Sequence, residues 1–156
     1  MRDLLLYTLV YPPDGVSTAQ ILGELGEDLA ARGTRVRVVT TVPTYRRGEV
    51  EGSGVVLERR ALGLWYRSRQ GAVEVWHVNA PAGNGHLARL ATWGLLHTLG
   101  AALALGVARR GAVFLVPSPL LTLGLVGAVL ARLRRGALIY NAQELYPDVA
   151  VELGYV

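Results

Sequence analysis

Ser118, Glu144 and Asp148 combine chemically useful side chains with suggestive positions in this chain. Each follows an apolar run, Ala112–Val116 or Ala137–Asn141, of the kind that forms a buried strand. In open α/β sheets, ligand sites lie just outside the carboxyl ends of the strands. Two carboxylates there could accept hydrogen bonds from sugar hydroxyls, and Ser118 could donate its hydroxyl into the same crevice. Asp148 could equally cap a helix starting at Val149, and the two roles are compatible. Ser118 is not a hydrolase nucleophile, because no G-x-S-x-G elbow surrounds it.

A second feature is directed at anions. The segment Tyr11-Pro12-Pro13-Asp14-Gly15-Val16 links an apolar run, Leu4–Val10, to a predicted helix opening at Ser17. The N–H groups around Gly15, Val16 and Ser17 would face outward from a strand end, a ready site for a phosphate. Arg46 and Arg47, in the polar segment 42–54 that also carries Tyr45, could grip an anionic acceptor or simply be solvated. His86 falls in a loop on the strand-end side and is a candidate for substrate contact. His77, inside a predicted strand, and His97, inside an apolar helix, read as core or edge histidines.

The elements that must hold these residues follow from periodicity. Ser17 with Gln20 forms a Ser-x-x-Gln capping box. Ile21, Leu22, Leu25 and Leu29 make one helical stripe, opposite Glu24, Glu27 and Asp28. Gly33 stops that helix, and Arg35–Thr41 is a second strand. Strands at 55–60 and 72–79 are joined by an arginine-rich connection around Trp65–Arg69. A long helix spans 87–109, a strand 112–116, a helix 120–134 stopped by Gly136, and a strand 137–141. Alternating strands and helices specify an α/β fold, a doubly wound, mostly parallel sheet in one domain over residues 1–156.

Composition narrows the function. There is no cysteine, and the three histidines are scattered, so no metal site is expected. All 16 basic residues are arginine and the net charge is +4, but no aromatics are interleaved as in nucleic-acid binders. No signal peptide is visible, which points to the cytoplasm. The stretches between Arg89 and Arg109 and between Arg110 and Arg132 carry no formal charge and approach membrane-span length. Val116-Pro117-Ser118-Pro119 breaks the second. Helices buried on a sheet are expected, with a membrane hairpin or a helix lying on the inner face of the cell membrane as the alternatives. Gly83-Asn84-Gly85-His86-Leu87-Ala88 matches a dinucleotide fingerprint, but it follows a late strand, and no acidic residue intervenes before Glu144 to hold a ribose.

Tyr11-Pro-Pro-Asp-Gly15, Ser17-Thr-Ala-Gln20, Leu25–Gly33 and Val38–Thr41 occur in an order that resembles the amino-terminal half of family-4-type glycosyltransferases. Gly71–Val75, Val116–Pro119 and Gln143–Asp148 extend the resemblance toward bacterial enzymes of colanic acid and O-antigen synthesis. The resemblance implies one Rossmann-like half of a GT-B fold that retains anomeric configuration without a metal or cofactor. It implies donor diphosphate contact at Gly15, Val16 and Ser17 and an acceptor side lined by Ser118, Glu144 and Asp148, to which the loop residues Tyr45, Arg46 and His86 add candidate acceptor contacts. The donor is a nucleotide-sugar shared with a second domain, and the acceptor is a saccharide or a lipid-linked one. No catalytic residue is singled out, and this chain alone is expected to be inactive. Val16 stands where relatives often carry a second glycine. A non-catalytic module binding a sugar-lipid, a nucleotide or a partner protein is the alternative.

Overall fold

The computed structural model describes residues 2–43, 53–81, 85–118 and 120–143. Seven strands form one sheet: β1 (Asp3–Tyr7), β2 (Arg35–Thr41), β3 (Glu58–Arg60), β4 (Trp65–Gln70), β5 (Val73–Val78), β6 (Val113–Pro117) and β7 (Ala137–Asn141). Their order is β3-β4-β5-β2-β1-β6-β7. From β5 to β7 every pairing is parallel, whereas β3–β4 and β4–β5 are antiparallel. Numbered among themselves, the parallel strands run 3-2-1-4-5, the doubly wound order.

Helix α1 (Ser17–Ala31) covers one face, where Leu22 packs with Leu4, Leu6, Val36 and Val38. Helices α2 (His86–Val107) and α3 (Leu121–Leu133) cover the other, where Leu96, Ala104, Leu123 and Leu130 meet Leu5, Tyr7, Val39 and Phe114. The winding therefore changes direction between β1 and β6.

Local chemistry explains where the elements stop and where expectation fails. Gly33, at φ +84°, ends α1 in a Schellman motif closed by Thr34 N–H to the Leu29 carbonyl at 3.0 Å. The same motif ends α3, but its left-handed residue is Arg135 at φ +53°, not Gly136. Gly136 is needed for another reason: a Cβ there would collide with the Ala112 carbonyl. The capping box does not form. Val16 is the N-cap without a side-chain bond, and Ser17 is an exposed first helical residue. Ile21 is 56% exposed. The rest of the stripe holds, Leu22 being buried and Leu25 and Leu29 packed against the core, and Ala19, Gly23 and Gly26 join the buried face because small residues let the helix settle closely onto the first loop.

The connection expected around Trp65–Arg69 is a strand. Pairing with β5 sets Arg67 opposite Trp76 and Arg69 opposite Glu74. Arg67 lies 5.4 Å from the Trp76 ring centre and bonds Glu74 at 2.6 Å, so its charge is satisfied on a half-buried face. Burial would raise the Glu74 carboxyl, but hydrogen bonds and charge from Arg67, Arg69 and Arg37 outweigh it and hold the group low.

Helix α2 is continuous but widens to π geometry at Leu96–Gly100. Tyr7, fully buried, donates its hydroxyl to the Leu96 carbonyl at 2.5 Å. Burial of that phenol pushes its pKa up, so it stays a donor. At the helix end, Arg37 donates to the Val107 carbonyl at 3.1 Å and Arg134 to the Leu105 carbonyl, meeting the negative terminus with charge. Contrary to the expectation of a buried helix, only 22% of the most apolar window of α2 is buried; one stripe docks on the sheet.

Candidate functional site at the sheet switch point

The first loop leaves β1 at a defined height because threonines fix it. The Leu9 carbonyl accepts hydroxyl bonds from both Thr40 and Thr41, at 3.1 and 3.0 Å, and Thr8 N–H bonds Val39 at 3.0 Å. Gln70 reaches across from β4 to donate to the Pro12 carbonyl at 2.6 Å. The turn Tyr11–Asp14 contains a cis Pro12–Pro13 bond and closes through Asp14 N–H to Tyr11 at 3.1 Å. Beneath it lie the two glycines of α1. A Cβ on Gly23 would fall 2.6 Å from Pro12 Cγ, and one on Gly26 would fall 2.7 Å from the Tyr11 hydroxyl. Tyr11 is buried, which pushes its phenol up, with Glu27 adding to the shift.

This packing delivers Gly15, Val16 and Ser17 to the rim of the crevice. Gly15 and Ser17 are exposed and Val16 is half-buried. The first intrahelical bond is Gln20 N–H to the Val16 carbonyl at 3.2 Å, so the amides before Gln20 have no acceptor within the helix. Asp14, immediately before them, is buried at 3% exposure.

On the other side of the switch point, Ser118 is 2% exposed. Its N–H donates to the Asn141 carbonyl at 2.9 Å, and its hydroxyl accepts from Gln143 N–H at 2.8 Å. Ser118 thus ties the end of β6 to the end of β7. The Thr18 hydroxyl donates to the Gln143 side-chain oxygen at 3.3 Å. Gln143 thus joins the opening turn of α1 to the Ser118 strand end at the switch point. His86 is the exposed first residue of α2, beyond the carboxyl end of β5, with Gly85 as N-cap. Tyr45, Arg46, Glu144 and Asp148 lie outside the described residues.

The other two histidines have no part in the crevice. His77 is fully buried; its Nδ1–H donates to the Thr41 carbonyl at 3.4 Å, and the Ser68 hydroxyl donates to Nε2 at 2.8 Å. A carbonyl can only accept, which fixes this tautomer. Burial pushes the pKa of His77 down to about 4, the Thr41 bond opposing it in part, so the ring is neutral near pH 7. His97 bridges the Trp93 carbonyl at 2.6 Å and the Thr122 hydroxyl at 3.0 Å, linking α2 to α3. No cluster of three metal-ligating side chains occurs among the described residues.

Sequence reasoning did not find Thr8, Thr40, Gln70 or Gln143 as the residues that place the loop. The one available signal was Thr40-Thr41, polar residues closing an apolar strand where a buried hydroxyl needs a partner.

No family model and no curated protein matches this chain. Its fold is similar to a solved structure, the catalytic domain of starch synthase IV from Arabidopsis thaliana bound to ADP and acarbose. The TM-score is 0.55 at 10% sequence identity, over 91% of this chain and 34% of that one. The chain therefore spans about a third of that one, and the likeness is one of fold, a mostly parallel sheet flanked by helices.

Proposed function

We propose that this chain is the acceptor-side domain of a retaining glycosyltransferase. It would move a sugar from a nucleotide-sugar to a saccharide or lipid-linked acceptor in cell-surface polysaccharide synthesis. The observation that carries the reading is the switch point itself. Amides of Gly15–Ser17 stand at the mouth of a parallel 3-2-1-4-5 sheet, tied through Thr18 and Gln143 to Ser118. Helix-start amides suit a diphosphate, since their partial positive charge is already oriented and needs no side-chain cation. The neighbour's ligands, ADP and acarbose, support transferring nucleotide chemistry to this crevice. Ser118, His86, Tyr45, Arg46, Glu144 and Asp148 are assigned to the acceptor side.

Transition-state charge in such a transfer must be met from both walls of a cleft, so one wall alone gives binding without turnover. Titration of the isotope-labelled chain with UDP, GDP and ADP tests the assignment by amide shifts. Gly15, Val16 and Ser17 should move together while Gly85 and His86 stay in place. Movement of Gly85 and His86 with NAD instead would favour a nucleotide-binding module. Sustained sugar transfer by these 156 residues alone would refute the half-site reading.

A further inference from the structure

The two helical layers differ in a way the crevice does not explain. Helix α1 presents Glu24, Glu27, Asp28 and Arg32 to solvent. The α2–α3 layer presents leucine and valine: Leu87 is 83% exposed, Leu90 59%, Leu125 70%, Val129 58% and Leu133 61%, with Trp93 among them at 38%. An exposed apolar surface of this extent marks a contact face.

Charge identifies the kind of partner. No aspartate or glutamate occurs between Glu74 and Glu144, while six arginines do. Arginines on the sheet and α1, such as Arg32, Arg37, Arg67 and Arg69, are ion-paired. Arg89, Arg109, Arg110, Arg132 and Arg135 are exposed, and among the described residues none has a carboxylate partner. Four of them cluster where α2 and α3 end, and Arg89 stands near the start of α2. A second copy meeting this face about a two-fold axis would set arginine against arginine, with no carboxylate among the described residues of the layer to relieve it. Nucleic acid would satisfy the arginines but leave the leucines in water.

We propose that the α2–α3 layer lies on an anionic lipid bilayer. The apolar side chains enter the headgroup–acyl boundary and the exposed arginines bind lipid phosphates. The helices lie in the membrane plane and do not cross it. A crossing α2 would have to leave the sheet, breaking the Tyr7–Leu96 bond and uncovering Tyr7, Val39 and Phe114. The inference stands apart from the donor chemistry, since none of these residues borders the switch point.

Co-sedimentation of the 156-residue chain with vesicles tests it. Binding is expected to vesicles of phosphatidylcholine with about a third phosphatidylglycerol, and not to phosphatidylcholine alone. Arg109→Gln with Arg110→Gln should weaken partition about fivefold per arginine removed. Leu90→Glu and Val129→Glu, both at exposed positions, should each weaken it about tenfold or more while circular dichroism stays unchanged. Brominated acyl chains should quench Trp93, and Trp93→Phe should abolish most of that quenching. Equal binding to neutral vesicles, or binding indifferent to Leu90→Glu, would overturn the proposal. So would a dimer by light scattering that Leu90→Glu dissociates while the wild type ignores vesicles, and so would capture of only an acidic protein.

Discussion

Lowering the pH below neutrality should destabilise this domain through His77. The ring is fully buried between Thr41 and Ser68, and its pKa falls from 6.5 to about 4 on folding. Above pH 6.5 the ring is neutral in both states and contributes no pH dependence. Below it the unfolded chain takes up a proton that the folded chain refuses, so stability is lost as pH falls from 6.5 toward 4. For those two values the loss at about pH 5 is ~2 kcal/mol, and it approaches ~3 kcal/mol once the folded ring titrates. Glu74, held low by its arginines, loses its contribution only at lower pH, in the carboxylate range, which leaves the upper window to histidine. Urea unfolding at about pH 7 and about pH 5 measures this directly, with a midpoint expected to drop by roughly 1 M. His77→Gln should start less stable but lose most of that pH dependence, and His86 and His97, present in both proteins, cancel in the comparison. If the wild-type midpoint stays fixed between the two pH values, or His77→Gln keeps the full dependence, the buried neutral ring is wrong.

Tyr7→Phe removes the donor that satisfies the Leu96 carbonyl, itself fully buried, and should cost about 1–3 kcal/mol and lower the melting temperature by roughly 2–10 °C. An unchanged melting temperature would mean the π segment does not depend on that bond. Gly94→Ala and Gly23→Ala gain the same helix propensity, but a Cβ at Gly94 meets nothing within 4 Å, whereas at Gly23 it meets Pro12 Cγ at 2.6 Å. Gly94→Ala should therefore stabilise by up to ~1 kcal/mol, and Gly23→Ala should fall about 1–3 kcal/mol below it in thermal or urea unfolding. Gly23→Ala should also shift the Gly15–Ser17 amides, and equal stabilities would show that the first loop does not rest on α1. Ser118→Ala should release Gln143 N–H and lower stability by ~1 kcal/mol in the same unfolding assay.

What this sequence determined by itself was local. Apolar runs at Leu4–Val10, Arg35–Thr41 and Ala112–Val116 could only be covered strands, and the intervening helical stripes required a parallel, doubly wound sheet. That fixed which turns stand at the carboxyl ends of the strands, so the strand-end positions of Gly15–Ser17 and Ser118 were legible. His77 was legible as a core histidine, since a strand covered on both faces leaves an imidazole no solvent. What the sequence left open depended on partners distant along the chain. Trp65–Gln70 reads as an exposed arginine-rich link until register with β5 sets Trp76 and Glu74 opposite its arginines. The Ser17 capping box fails because the chain enters α1 from Val16, a path set by Gly23 and Gly26 beneath Tyr11 and Pro12. Periodicity gave α2 as apolar; only the assembled sheet decided which stripe it buries and which it leaves outward beside exposed arginines. A strand or helix is specified by near neighbours, whereas the crevice and the outer face are sums of contacts between segments that only the folded chain brings together.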